Sequence, residues 1–144
     1  MTNIGIGMIG SGFMGLTYSE VVANHAQGSK LVAVTGGRRA AQLAADYGVA
    51  AEPDVEALVA RSDVDAVVIA TPDQDRLKIT KLAAAVGKHV LAEKPMAPTV
   101  AECDAMIAAC NAANVKLSVV KTERYRKITM KAKSWGKPSL RSSF

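Results

Sequence analysis

The run Ala66-Val67-Val68-Ile69-Ala70 is apolar at every position, β-branched at its centre, and bounded by Asp65 and Thr71-Pro72. A strand with one wet face would alternate apolar and polar residues. A strand with no polar face has to be covered on both sides. Leu31-Val32-Ala33-Val34 repeats the pattern, and the glycine-rich run 3–9 and the segments 89–92 and 117–120, each apolar but for one residue, read as further strands. A further short strand is expected at Val49-Ala50. Between these lie segments of helical period: 14–24, 38–47 closed by Gly48, 53–60 with Pro53 near its start, and 73–86 ended by Gly87. The last, running to about Asn114, opens on Thr99-Val100-Ala101-Glu102, a capping box in which Thr and Glu exchange bonds with each other's backbone N–H. Strands that alternate with helices and are covered on both faces form a parallel sheet. Right-handed crossovers then make an α/β, doubly wound parallel sheet in a single domain.

Little else fits the composition. The chain has 144 residues, 49% of them hydrophobic, which excludes a disordered polymer. No apolar run approaches the roughly 20 residues that cross a bilayer, and the apolar N-terminus lacks the basic leader of a secretory signal. Cys103 and Cys110 lie seven residues apart in an expected helix, about 10 Å along its axis, too far for a disulfide. Two free thiols suit a reducing, cytoplasmic setting. The net charge of +5 is uneven. Residues 1–120 carry 10 Lys/Arg against 12 Asp/Glu, and residues 121–144 carry 8 against Glu123 alone. Such a tail could bind nucleic acid, but no aromatic stacking platform accompanies it, and a solvated terminal helix is the expected reading.

The stretch Gly10-Ser11-Gly12-Phe13-Met14-Gly15 has G-x-G-x-x-G spacing where the first strand passes into the first helix. In that context the spacing points to a dinucleotide. Gly10 permits a tight turn, Gly12 lets a pyrophosphate reach the backbone, and Gly15 lets helix pack on strand. The free N–H groups of the helix start favour an anion. A ligand-free glycine turn is the alternative. NAD binders place an acid about 20 residues further on, for the ribose hydroxyls. Here that point reads Val34-Thr35-Gly36-Gly37-Arg38-Arg39, with no acid. A carboxylate would repel a 2′-phosphate, whereas an arginine fork holds one. The expected cofactor is therefore NADP(H) rather than NAD(H), contacted by Thr35, Arg38 and Arg39. Alternatively, both arginines sit on a solvated turn and select nothing.

Ligands of a parallel sheet lie at the carboxyl ends of its strands. Two more segments reach that edge: Ala70-Thr71-Pro72 and Glu93-Lys94-Pro95. Lys94 is the candidate catalytic residue. An ammonium beside a reacting oxygen would stabilise developing negative charge, and losing such a group costs on the order of 10²–10⁴ in rate. The competing reading is a surface lysine paired to a nearby acid. No metal site is expected. His25 and His89 fall at a helix end and at the opposite sheet edge, so neither is placed to act as a base.

Together GSGFMG, AVVIATPD, GKHVLAEKPMAPTVAECDAMIAAC and VKLSVVKTERYRK resemble the Gfo/Idh/MocA oxidoreductases, a family that includes inositol dehydrogenases and glucose–fructose oxidoreductase. The resemblance runs to about Lys133. It implies an N-terminal Rossmann domain, a second β-sheet domain with much of the substrate site, and hydride transfer at a sugar or polyol carbon. By position it assigns Gly10, Gly12, Phe13, Met14 and Gly15 to the phosphate turn, and Ala70, Thr71 and Pro72 to the cofactor lining. Glu93 matches the residue near the nicotinamide ribose, Lys94 the active-site lysine, and Arg124 the arginine after the last strand. Asp73 stands where the family often has Asn, and Arg76 where it often has His. The expected division is a Rossmann domain at 1–122 and, at 123–144, a basic terminal helix with a shortened connection near Trp135 and Gly136-Lys137-Pro138. Such a chain is expected to be an NADP-dependent oxidoreductase by lineage, weak or inactive alone and prone to self-association. The alternative is a non-catalytic nucleotide-binding module.

Overall fold

A computed structural model describes residues 3–134. Six strands form one parallel sheet: β1 (Ile4–Ile9), β2 (Ser29–Thr35), β3 (Ala50–Ala51), β4 (Ala66–Ile69), β5 (His89–Ala92) and β6 (Leu117–Val119). Their spatial order is β3-β2-β1-β4-β5-β6. The chain starts in the middle, winds outward one way, then crosses back past β1 and winds the other way. The topological switch point therefore lies between β1 and β4, where an open α/β sheet leaves a crevice at its carboxyl edge.

The helices are α1 (Phe13–Asn24), α2 (Ala40–Tyr47), α3 (Val55–Ala60), α4 (Asp73–Ala85) and α5 (Val100–Ala112). Successive strand residues point to opposite faces, which explains why the apolar runs do not alternate. Met8, Val34 and Val68 pack with Leu43 and Ala44 in the cluster that includes Leu16 and Val22 of α1. Their neighbours Ile9, Ala33, Val67 and Ile69 pack on the other face with Leu58, Ile79, Ala83 and Cys110 of α3, α4 and α5. Leu16 and Val22 are half-buried and the rest are buried, and each fully buried Met, Leu, Ile or Val contributes about 1.5–3 kcal/mol through removal from water. Cys110 is buried and free, and burial pushes its thiol above the usual value.

Three helix starts show how local chemistry sets boundaries. The capping box of α5 is complete: Glu102 N–H donates to Thr99 Oγ1 at 3.2 Å, and Thr99 N–H donates to Glu102 Oε2 at 3.1 Å. The third helix begins at Val55, two residues later than Pro53 suggests, because Asp54 is the N-cap and its Oδ1 accepts from Ala57 N–H at 2.7 Å. Replacing Asp54 with Ala should therefore lower stability by about 1 kcal/mol in urea unfolding, and an unchanged midpoint would show the cap to be idle. The second helix begins at Ala40 rather than Arg38. Gly36 and Gly37 hold φ at 79° and 83°, which keeps the chain out of helix until Arg39 serves as N-cap. The short third strand lies one residue beyond its expected place, at Ala50–Ala51.

After β6 a 3-10 turn (Thr122–Tyr125) leads into α6 (Lys127–Ser134). Every residue from 121 to 134 is exposed. The expected connection near Trp135 and Gly136-Lys137-Pro138 lies outside the described residues. No helix among the described residues is long and apolar enough to cross a membrane.

Candidate functional site

Four strand ends build the crevice. Gly10 N–H donates to Thr35 O at 2.8 Å, Ala70 N–H to Ile9 O at 2.8 Å, and Glu93 N–H to Ile69 O at 3.0 Å. The loops after β1, β4 and β5 are thus stitched, with the end of β2, into one rim by sheet bonds that run one residue past those three strands. Gly10 adopts φ +109°, a conformation other residues rarely take, and a Cβ there would come within 2.7 Å of Ala70 O. At Gly15 a Cβ would lie 1.9 Å from the Gly10 carbonyl oxygen, so the first turn of α1 presses directly on the loop backbone.

Gly12 behaves differently. A Cβ there meets nothing within 4 Å. Gly12 is the N-cap of α1, with no side-chain cap and no acid in the first turn. A helix start leaves unpaired N–H groups and about half a positive charge. Among α1 to α5, only α1 and α2 lack both a side-chain cap and a first-turn acid. Both begin at this crevice: Arg39 N–H, at the N-cap of α2, donates to Ser11 Oγ at 3.2 Å. Ser11, Gly12, Gly37, Arg38 and Arg39 line an open groove of about 430 Å³. Next to it a slot of about 340 Å³ runs between Gly36, Val55, Thr71, Pro72 and Ile79. An anion at the helix starts, with a flat group in the slot, fits this donor set.

The other half of the rim is tied down by buried polar groups. Glu93 is 5% exposed, and Tyr18 OH of α1 donates to its Oε1 at 2.5 Å. Burial and that bond push the Tyr18 phenol well above its ordinary value, so it stays a donor. Arg76, 6% exposed, reaches from α4 to the backbone of both loops. Lys94 is exposed at the end of this rim, and no carboxylate pairs with it among the described residues. The surface-pair alternative for Lys94 therefore has no support.

Comparison with known proteins agrees with this geometry. The model of the family described as "Oxidoreductase family, NAD-binding Rossmann fold" matches residues 4–121. The chain belongs to the Gfo/Idh/MocA oxidoreductase family. It is 34% identical over 107 residues to inositol 2-dehydrogenase 1 of Saccharopolyspora erythraea, covering 72% of this chain and 32% of that one. It is 33% identical over 121 residues to UDP-N-acetylglucosamine 3-dehydrogenase of Acidithiobacillus ferrooxidans, covering 83% and 37%. The structure of scyllo-inositol dehydrogenase from Lactobacillus casei with bound NAD(H) and scyllo-inositol superposes at TM-score 0.86 with 26% identity, covering 92% of this chain and 40% of that one. The chain spans about a third of the length of the curated relatives it matches.

Within this Gfo/Idh/MocA domain, the structure gathers Gly10, Gly12, Phe13, Met14, Gly15, Arg38, Arg39, Ala70, Thr71, Pro72, Glu93 and Lys94 along one edge. Phe13 stands 78% exposed at the first helical position. Thr35 is a correction: it is fully buried, and its Oγ1 donates to Glu52 O at 2.9 Å, so its side chain supports β3 instead of facing a ligand. The strand simply continues through Thr35, which turns that side chain inward. Arg124 sits exposed in the turn after β6, at the far end of the sheet from the glycine turn. His25 caps α1 and approaches Glu20, while His89 Nδ1 accepts from Lys116 N–H at 3.0 Å. Sequence reading missed Tyr18, although a tyrosine one turn past Gly15 is a visible signal. It registered Arg76 only as a departure from the family pattern.

Proposed function

We propose that this domain binds NADP(H) in preference to NAD(H) and serves an oxidoreductase acting on a sugar or polyol. One observation carries the reading: the uncapped start of α1 opens at Gly12 onto the same rim that presents Lys94. The N–H groups of that helix start hold the pyrophosphate. The adenine takes the slot beside Pro72, and Arg38 and Arg39 face the 2′-phosphate. The missing acid at Gly36 supports NADP(H), because nothing there repels a phosphate. When bound, the nicotinamide accepts or donates the hydride. The Lys94 ammonium stabilises charge on the substrate oxygen, while Glu93, held by Tyr18, orients the ribose. Residues 1–122 form the cofactor domain, and 123–144 a basic extension whose role in nucleic-acid binding we discount. The free thiols suit a reducing, cytoplasmic setting.

A second reading, a nucleotide-binding module without catalysis, draws on the surroundings of Lys94. Among the described residues neither histidine lies near it, and the neighbouring carboxylate is engaged by Tyr18. Titration of the chain with NADPH and NADH, followed by nucleotide fluorescence, tests the cofactor. Tighter NADPH binding is expected, and a preference for NADH would refute the choice. The same chain should turn over inositols and other polyols slowly or not at all, and brisk turnover would refute that expectation. Exposed Tyr125, Ile128 and Met130 on the basic extension favour self-association, so sedimentation should show a mass that rises with concentration. A single monomer at all concentrations would contradict that.

A further inference from the structure

Arg76 is a buried cation with no carboxylate partner among the described residues. A guanidinium carries five N–H donors, and leaving them unpaired in the interior is costly. Four are satisfied, all by backbone carbonyls. Nε and Nη2 donate to Thr71 O at 3.1 and 2.7 Å. Nη1 donates to Glu93 O at 2.7 Å and also to Pro95 O. One side chain therefore joins the loop after β4 to the loop after β5, and the two carbonyls it holds in the second loop flank Lys94.

Sheet bonds fix the first loop as far as Ala70 and the second as far as Glu93, and an Asp75 N–H bond to Pro72 O ties the rest of the first loop to the start of α4. Past that point support changes. Among the described residues, Arg76 supplies the only hydrogen bond to the segment 94–98. The placement of Lys94 relative to Thr71 thus rests on a planar, forked donor that a point-charge lysine could not replace. The Gly12 and Arg38–Arg39 end of the crevice makes no bond to Arg76.

We propose that Arg76 is a positioning residue: it clamps the Lys94 loop against the Thr71 loop and so shapes the nicotinamide half of the crevice. This rests on the cofactor reading above. The test compares NADPH with 2′,5′-ADP, which lacks the nicotinamide half, by calorimetry on the whole chain. For Arg76→Ala, NADPH affinity should fall about tenfold or more, the scale of losing hydrogen bonds to a charged group. Affinity for 2′,5′-ADP should stay within about threefold, as for a site remote from the change. Added guanidinium chloride should restore part of the NADPH affinity. A parallel loss of both ligands, or no loss of either, overturns the proposal. If Arg76→Ala does not fold, Arg76→Lys is read the same way: a smaller but still selective NADPH loss supports the clamp, and equal losses overturn it. A wild-type chain that binds neither ligand overturns the cofactor reading, and this proposal with it.

Discussion

Replacing Gly12 with aspartate will weaken dinucleotide binding severely and leave the fold at least as stable. The two effects have one cause. Gly12 has φ −74° and ψ −170°, extended geometry open to any residue, and a Cβ there meets nothing within 4 Å. An aspartate at an N-cap accepts from the free N–H groups of the first turn and complements the helix dipole, which adds a few tenths to about 1 kcal/mol of stability. It also fills the place of the ligand anion and puts a charge against the pyrophosphate. Lost charge-assisted bonds and like-charge repulsion at a partly desolvated site together weaken binding on the order of 100-fold or more. The control is Gly15→Ala, three residues on and chemically milder. Its Cβ would sit 1.9 Å from the Gly10 carbonyl oxygen, a backbone atom that cannot step aside. We expect a loss on the order of 3 kcal/mol or more, or no soluble protein. Thermal melts with dinucleotide titration read both variants. Retained binding by Gly12→Asp would show that the helix start is not the phosphate site. An unchanged melt for Gly15→Ala would contradict the close packing of α1.

Removing both arginines, Arg38→Ala with Arg39→Ala, should cost NADPH about 10- to 100-fold in affinity and leave NADH nearly unchanged. Both side chains are exposed beside Ser11 and Gly37, so the change removes no core contact. The reverse design is less direct. The point where an acid would contact the ribose is Gly36, whose φ of +79° strains any residue with a Cβ. Aspartate at that position would add a charge and distort the loop together, so the arginine pair is the cleaner probe. An equal loss for both nucleotides would mean that the arginines steer by charge alone. Steering of that kind fades with added salt, whereas specific 2′-phosphate recognition persists as a preference.

Much of the architecture was legible because its causes are local or periodic. Runs such as Ala66–Ile69 have no polar face, and the chain can bury both sides only in a two-sided parallel sheet. The glycine spacing marked the turn because the backbone at Gly10 and Gly15 leaves no room for a side chain. Helix boundaries missed by a residue or two had local causes, the Asp54 cap and the Gly36-Gly37 turn, whereas the misses at the site came from contacts distant in sequence. Thr35 read as a groove residue because it ends a strand, but the carbonyl of Glu52, 17 residues away, draws its hydroxyl inward. The bond between Tyr18 and Glu93 spans 75 positions, and the Arg76 contacts to Glu93 and Pro95 span 17 and 19. No period or motif encodes such pairs.

By itself the amino-acid order determined the layering, the strand-helix alternation and the place of the phosphate turn, because hydrophobic burial and glycine geometry act over a few residues at a time. Only the tertiary structure decided which polar groups hold the rim together. A buried guanidinium finds its carbonyls, and a phenol its carboxylate, only after the sheet has brought α1, α4 and the two loops within hydrogen-bond reach.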